Sequence, residues 1–166
     1  MRPSHILLLL VTTLPGSIAA RAAEPAAADI ATINGCLTTL DKKTNPDIEK
    51  YVTGCLRKVA KPCARNDLGG IDRKDIECYD RERSVWDKIL NDSYKSVVVG
   101  LEPEQVTKLR EVQRVWIQFR DMNCGFIYEY YQGTMANPLI AECNNRETAR
   151  RAIYMRTFAQ DIAGRK

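Results

Sequence analysis

The fold is decided by residues 86–119, which read WDKILNDSYKSVVVGLEPEQVTKLREVQRVWIQF. In the first half, apolar residues such as Trp86 and Leu90 recur at steps that place them on one face of an α-helix. Gly100 and Pro103 interrupt this pattern, as expected at the end of a helix. A second apolar series follows the proline. The stretch therefore predicts two long helices with a short connection between them.

The second helix is predicted to be unusually long, because its apolar series keeps helical spacing for nearly seven turns. The residues of this series are Val106, Leu109, Val112, Trp116, Phe119, Cys124 and Ile127. Two long helices with a short link usually form an antiparallel pair. We therefore expect an antiparallel hairpin of about residues 78–131, with Trp86 and Trp116 buried between its helices.

Three shorter helical patterns surround this hairpin. One covers about residues 30–40, a second begins at Pro46 and ends near Pro62, and a third runs from about Asn145 to Ile162. Since none of the chain shows the alternation of a half-buried strand, the sequence predicts an all-α fold of about five helices.

The N-terminal residues resemble a secretory signal. Arg2 precedes the apolar run 6–11, and the small-residue stretch 19–23 follows. The run is too short to span a membrane, so we expect cleavage of residues 1–22 and no anchor afterwards. The mature chain, 23–166, is predicted to be one periplasmic or secreted domain with an N-terminal two-helix extension at about 28–77.

Charge and histidine content narrow the functional classes. Loss of Arg2 and Arg21 lowers the formal charge from +4 to +2, and charges of both signs alternate, so nucleic acid is not an expected partner. The single histidine, His5, belongs to the signal segment. The mature chain therefore lacks the commonest general base, and histidine-dependent catalysis is excluded.

Six cysteines predict disulfide bonds, because an even number in an exported chain normally pairs. No short paired spacing of the zinc-binding type occurs, so we expect neither a metal nor another cofactor. Two observations favour bridges between cysteines that are close in sequence: the order of the cysteines, and the equal 19-residue separations of Cys36/Cys55 and Cys124/Cys143. The expected pairs are Cys36 with Cys55, Cys63 with Cys78, and Cys124 with Cys143.

Polar residues recur where the helices of the hairpin are expected to be buried. They are Asp87, Asn91 and Tyr94 beside Trp86, Gln113 and Arg114 beside Trp116, and Arg120 with Asp121 before Cys124. One interpretation is that four of them satisfy one another and nearby backbone across the helix pair and fix its register. These four are Asp87, Asn91, Arg120 and Asp121. Another is that Asp87 and Asp121, with Glu82, line a cleft as general acid and base, as in glycoside hydrolysis.

The order of these motifs resembles a known family, the LprI-like lysozyme-inhibitor domains, over about residues 78–160. The residues that carry the resemblance are Cys78, Arg81, Glu82, Trp86, Asp87, Leu90, Asn91, Tyr94, Gln113, Arg114, Trp116, Ile117, Arg120, Asp121, Cys124, Gly133, Thr134, Met135, Cys143, Thr148 and Arg151. The resemblance implies a helical, disulfide-bonded protein of the cell envelope and suggests a lysozyme or another envelope protein as partner.

Three functions follow, in order of preference. The first is a binding protein that resembles lysozyme inhibitors and acts by occlusion without catalysis. For this function we expect two candidate loops, residues 65–72 and the segment Gln132-Gly133-Thr134-Met135. The second is a structural or chaperone-like periplasmic module that binds protein or peptidoglycan. The third is a carboxylate-based hydrolase.

Overall fold

The computed structural model describes residues 24–42, 47–64 and 73–165, which form six α-helices. The helices are α1 (Ala27–Asp41), α2 (Ile48–Cys55), α3 (Ala60–Cys63), α4 (Arg73–Val99), α5 (Pro103–Tyr131) and α6 (Ala136–Gly164). Because α3 is a single turn and these ranges contain no strand, the prediction of an all-α fold with about five helices is confirmed. The predicted signal peptide, 1–22, and the candidate loop 65–72 lie outside the described residues.

Two helix boundaries differ most from the sequence prediction. The last helix begins at Ala136, well before Asn145, because Pro138 lies in its first turn, where a missing N–H group leaves no hydrogen bond unmade. The second helix ends at Cys55 and does not continue to Pro62. A turn with Arg57 in the left-handed region (φ 65°) follows it.

Helix α4 packs most extensively on α6. The two run parallel, since Glu82 contacts Asn145 near their starts and Gly100 lies against Ile162 near their ends. A Cβ at position 100 would lie 2.3 Å from a side-chain methyl carbon of Ile162, so any other residue there would force Ile162 to shift. Small buried residues of α6 permit close packing. They are Ala141, Asn145, Thr148, Ala149 and Ala152.

Helix α5 runs antiparallel to α6 and packs on it, making far fewer contacts with α4. The expected antiparallel direction of α4 and α5 is therefore present, but α6 provides the surface that both helices pack against. Trp86 is fully buried in the core, whereas Trp116 is only partly buried on the α5–α6 side. The prediction that both tryptophans pack between α4 and α5 is wrong, because each helix turns its apolar face toward α6.

Ion pairs attach α1 at both ends. Arg81 of α4 donates two hydrogen bonds to the buried Asp29, at 2.6 and 2.8 Å. At the other end, Asp41 accepts hydrogen bonds from Tyr51 and from Arg156 of α6. The hydrogen bond from Arg156 is the main reason that the pKa of Asp41 is lowered from its ordinary 3.8.

All three predicted disulfide pairings are confirmed. Cys36–Cys55 joins α1 to α2, Cys63–Cys78 joins α3 to α4, and Cys124–Cys143 joins α5 to α6. The three bridges together use all six cysteines of the sequence, each of which lies in a described range. Each bridge therefore links consecutive helices and closes a short loop.

Replacing Cys124 and Cys143 together by alanine is expected to lower the free energy of unfolding by about 3 kcal/mol, the value for a loop of this size. Because α5 packs mainly on α6, the loss should be local. Amide hydrogen exchange should accelerate in the C-terminal half of α5 more than in α4. Equal acceleration in both helices would contradict this one-sided attachment of α5.

Replacing Asp41 by asparagine should destabilise the protein at neutral pH by up to about 1 kcal/mol, as is typical of exposed ion pairs. The folded-state pKa of Asp41 is lowered, so its contribution is present above the unfolded pKa and is lost as pH falls through the folded value. Urea unfolding should therefore give a difference between wild type and variant that shrinks below about pH 4. A difference that stays constant with pH would refute this account.

Candidate functional site

A buried carboxylate, Glu82, lies at the junction of α2, α3, α4 and α6. Its side chain is fully buried. Oε1 accepts hydrogen bonds from the Arg57 backbone N–H (2.7 Å), Trp86 Nε1 (3.2 Å) and Asn145 Nδ2 (3.1 Å), and Oε2 accepts from the backbone N–H groups of Val59 and Ala60 (2.8 Å each). A buried carboxylate is tolerated only with such partners. Glu82 is thus a structural acceptor and is poorly placed to exchange protons with a substrate.

The Glu82 contacts explain the break after α2. A continuous helix would turn the N–H groups of Arg57 and Val59 along its own axis, whereas here they point at the carboxylate. The left-handed conformation of Arg57 is uncommon for a residue with a side chain. Its guanidinium also donates to Glu142 of α6 (2.8 Å), which raises the pKa of Arg57.

The two aspartates considered as a catalytic pair are not joined by any contact. Asp87 is exposed on α4 and accepts from Asn91 on the same helix (3.2 Å). Asp121 is exposed on α5 and pairs with the adjacent Arg120 (2.8 Å). Asp87 and Asn91 therefore pair on α4, and Arg120 and Asp121 pair on α5. The expectation that these four residues pair with one another across α4 and α5 is wrong.

The remaining motif residues separate into a buried and an exposed group. Tyr94 packs at the edge of the core, whereas Arg114 is exposed on α5. Gln113 lies between α5 and α6, where its Oε1 accepts a hydrogen bond from Arg151 Nε (2.7 Å). The sequence pattern alone did not distinguish these environments.

A cluster of cations and aromatic rings fixes α5 on α6. The guanidinium carbons of Arg120 and Arg151 lie 5.1 and 5.8 Å from the ring centre of Trp116, and Arg151 also lies 5.4 Å from that of Tyr154. Burial lowers the pKa of Arg151, which stays far above neutrality. Cation–π attraction here contributes about 0.5–2 kcal/mol per contact. Trp116 is therefore held in place from both helices.

One flank of α5 carries an exposed apolar series, here called the α5 stripe. Its members and their exposed fractions are Val112 (51%), Val115 (63%), Phe119 (54%), Met122 (75%), Phe126 (66%) and Tyr130 (74%). At its N-terminal end the stripe borders an open groove of about 700 Å³, lined by Leu101, Leu109, Val112 and Phe158 among others. A monomer rarely exposes so many large apolar side chains together.

The turn between α5 and α6 is short and structured. Gln132 and Gly133 both have positive φ (51° and 76°), and Gly133 suits this conformation. The Gly133 carbonyl accepts from the Ala136 N–H (3.2 Å), and the Thr134 carbonyl accepts from the Asn137 N–H (3.3 Å). Residues 132–135 are all exposed, with Met135 at 64%.

Comparison with known protein families shows what this chain is similar to. The family described as Lysozyme inhibitor LprI matches residues 69–154, just over half of the 166 residues. The chain belongs to the LprI lysozyme-inhibitor family. The LprI region contains α4, α5, the Cys124–Cys143 bridge and most of α6, whereas α1, α2 and α3 precede it. No curated protein and no solved structure matches the chain.

In the described ranges, no group of three or more histidine, cysteine, aspartate or glutamate side chains has an arrangement that could hold a metal ion. In the same ranges, no helix has both the length and the apolar character needed to cross a membrane.

Replacing Glu82 by glutamine should destabilise the protein by about 2–4 kcal/mol, because an amide NH₂ would face backbone N–H donors and the charge-assisted hydrogen bonds would be lost. Glu77→Gln is the matched control on the same helix, since its partner Arg73 forms only an exposed ion pair. Urea unfolding measured by circular dichroism would compare the two. Similar effects at both positions would show that the Glu82 contacts are unimportant.

Proposed function

We propose that this LprI-family protein is exported to the cell envelope and binds a lysozyme, blocking its cleft without chemistry of its own. The observation that carries the proposal is the exposed turn Gln132–Met135, which joins two disulfide-linked helices within the region that matches the family. Export is supported by the signal-like residues 1–22 and by three disulfides, which form in oxidising compartments.

The proposed mechanism is insertion of the turn into the lysozyme cleft. Lysozymes cleave glycosidic bonds with two carboxyl groups, so hydrogen-bond donors suit their cleft. The turn offers the Thr134 hydroxyl and the Gln132 amide, and Met135 adds an apolar contact. Two backbone hydrogen bonds order the turn before binding, and the Cys124–Cys143 bridge links the two helices that the turn connects. Such preorganisation reduces the entropy lost on association.

The carboxylates of the chain support a binding role over a hydrolytic one. Glu82 is buried and accepts hydrogen bonds from neutral donors, and Asp87 and Asp121 each pair within their own helix. Hydrolysis by paired carboxylates needs two acids facing one cleft at a fixed separation. Among Glu82, Asp87 and Asp121, no two therefore form such a catalytic pair in the described structure.

A second candidate function is a chaperone-like or structural envelope module. The α5 stripe favours it, because exposed apolar side chains on a rigid helix can hold apolar segments of other proteins. If the protein has this function, its binding of apolar segments should not depend on the turn Gln132–Met135.

The proposal is tested by lysis of a peptidoglycan suspension by c-type, g-type and i-type lysozymes, with and without the oxidised protein. We expect inhibition of at least one class. Replacing Thr134 and Met135 together by alanine should weaken the inhibition by about tenfold or more, the loss of one strong contact.

Thr107→Ala with Val99→Ala serves as the matched control, since both residues are exposed far from the turn along the helices. It should inhibit as well as the wild type. Loss of inhibition in both double variants would remove the turn from the mechanism. No inhibition of any class by folded protein would reject the lysozyme proposal in favour of the envelope module.

A further inference from the structure

The α5 stripe has the spacing of a helix–helix seam. Its residues follow one another at steps of three, four, three, four and four, which is close to the heptad repeat of paired helices. The stripe lies on a different face of α5 from the residues that contact α6, such as Leu109, Trp116 and Cys124. The packing of the described chain therefore uses one face of α5 and leaves a second apolar face uncovered.

The size of the stripe suits a stable interface. An aromatic side chain presents roughly 150–250 Å², and Phe119, Phe126 and Tyr130 are each more than half exposed. With Val112, Val115 and Met122, the stripe exposes several hundred Å², approaching the roughly 800 Å² that each partner contributes to a typical specific complex. The flexible side chain of Met122 can adapt to a neighbouring helix, whereas the β-branched valines keep a fixed conformation. Both properties suit helix packing.

Charge along the stripe distinguishes the possible orientations of two α5 helices. Lys108 continues the stripe one turn before Val112, and Glu129 adjoins its other end. In a parallel pair, each of these charges would face its own copy and be repelled. In an antiparallel pair centred on Phe119, Lys108 of each copy would lie beside Glu129 of the other. In the described chain Lys108 pairs with the exposed Glu111 (3.2 Å). Exposed ion pairs are weak, so the Lys108 ammonium group can also bind a carboxylate of a second copy.

The same antiparallel register uses the groove at the start of α5. It places Tyr130 of one copy at the level of Lys108 and Leu109 of the other, where the groove opens. Both ends of the stripe would thus be covered equally, as a two-fold interface requires.

We infer that the α5 stripe binds the α5 stripe of a second copy of this chain, forming an antiparallel two-fold dimer centred on Phe119. The second copy is the occupant that matches the apolar spacing, the length and the charge order of the stripe at once. The dimer does not depend on the proposed lysozyme binding, because the turn Gln132–Met135 lies beyond the stripe.

The first test is sedimentation velocity of the oxidised protein from the micromolar to the millimolar range. We expect a reversible monomer–dimer equilibrium. Phe119→Glu should raise the dissociation constant by on the order of 100-fold, since it places like charges opposite each other at the centre of the interface. Ile117→Glu is the matched control, with the same added charge on another exposed face of α5, and it should dimerise as the wild type does.

The orientation is tested by charge exchange. Lys108→Glu should weaken the dimer, and adding Glu129→Lys should restore it, because the two positions meet only in the antiparallel register. A wild type that stays monomeric at millimolar concentration would overturn the inference, as would a dimer unaffected by Phe119→Glu. A monomer whose complex with lysozyme is lost in Phe119→Glu would also overturn it and would assign the stripe to the inhibitor interface. The Thr134→Ala, Met135→Ala variant should dimerise normally.

Discussion

The Glu82 carboxylate is the constraint on which the arrangement of the helices depends. A fully buried anion is strongly unfavourable unless donors surround it, and these donors come from three parts of the chain. The turn after α2 supplies backbone N–H groups, α4 supplies Trp86, and α6 supplies Asn145. Satisfying one side chain therefore fixes the N-terminal helices against the helices of the LprI region. The family match begins at residue 69. The segment before it supplies backbone donors to Glu82, so this segment is an integral part of the core.

The second constraint is the central position of α6. Its small buried residues, including Ala149 and Ala152, allow α4 to approach closely, and the close contact of Gly100 with Ile162 extends that approach to the ends of both helices. Helix α5 meets α6 differently, through larger groups such as Trp116 and Arg151. The Cys124–Cys143 disulfide supplies part of the attachment of α5 to α6.

The sequence predicted the helices and the disulfides well, because both depend on local patterns. Apolar periodicity reports a helix directly, and cysteines near in sequence pair when short loops join their helices. The sequence did not predict which helices pack against each other. Trp86 and Trp116 have the same apolar signature, yet one is in the core and the other lies beneath two arginines. The role of Glu82 was also missed, although its position four residues before Trp86, on the buried face, was a usable signal.

The candidate partner surfaces follow from the one-sided packing of α5. A helix of 29 residues that packs on one neighbour cannot bury all its apolar side chains. A chain under selection only for stability would be expected to place polar residues on the free flank, as Arg114 and Asp121 do on another face. The α5 stripe instead keeps phenylalanine, methionine and tyrosine in water, which favours aggregation unless a partner covers them. The inferred dimer interface gives a physical reason to retain such residues. The same helix ends in the exposed turn Gln132–Met135, so α5 offers one candidate surface along its length and another at its C-terminal end.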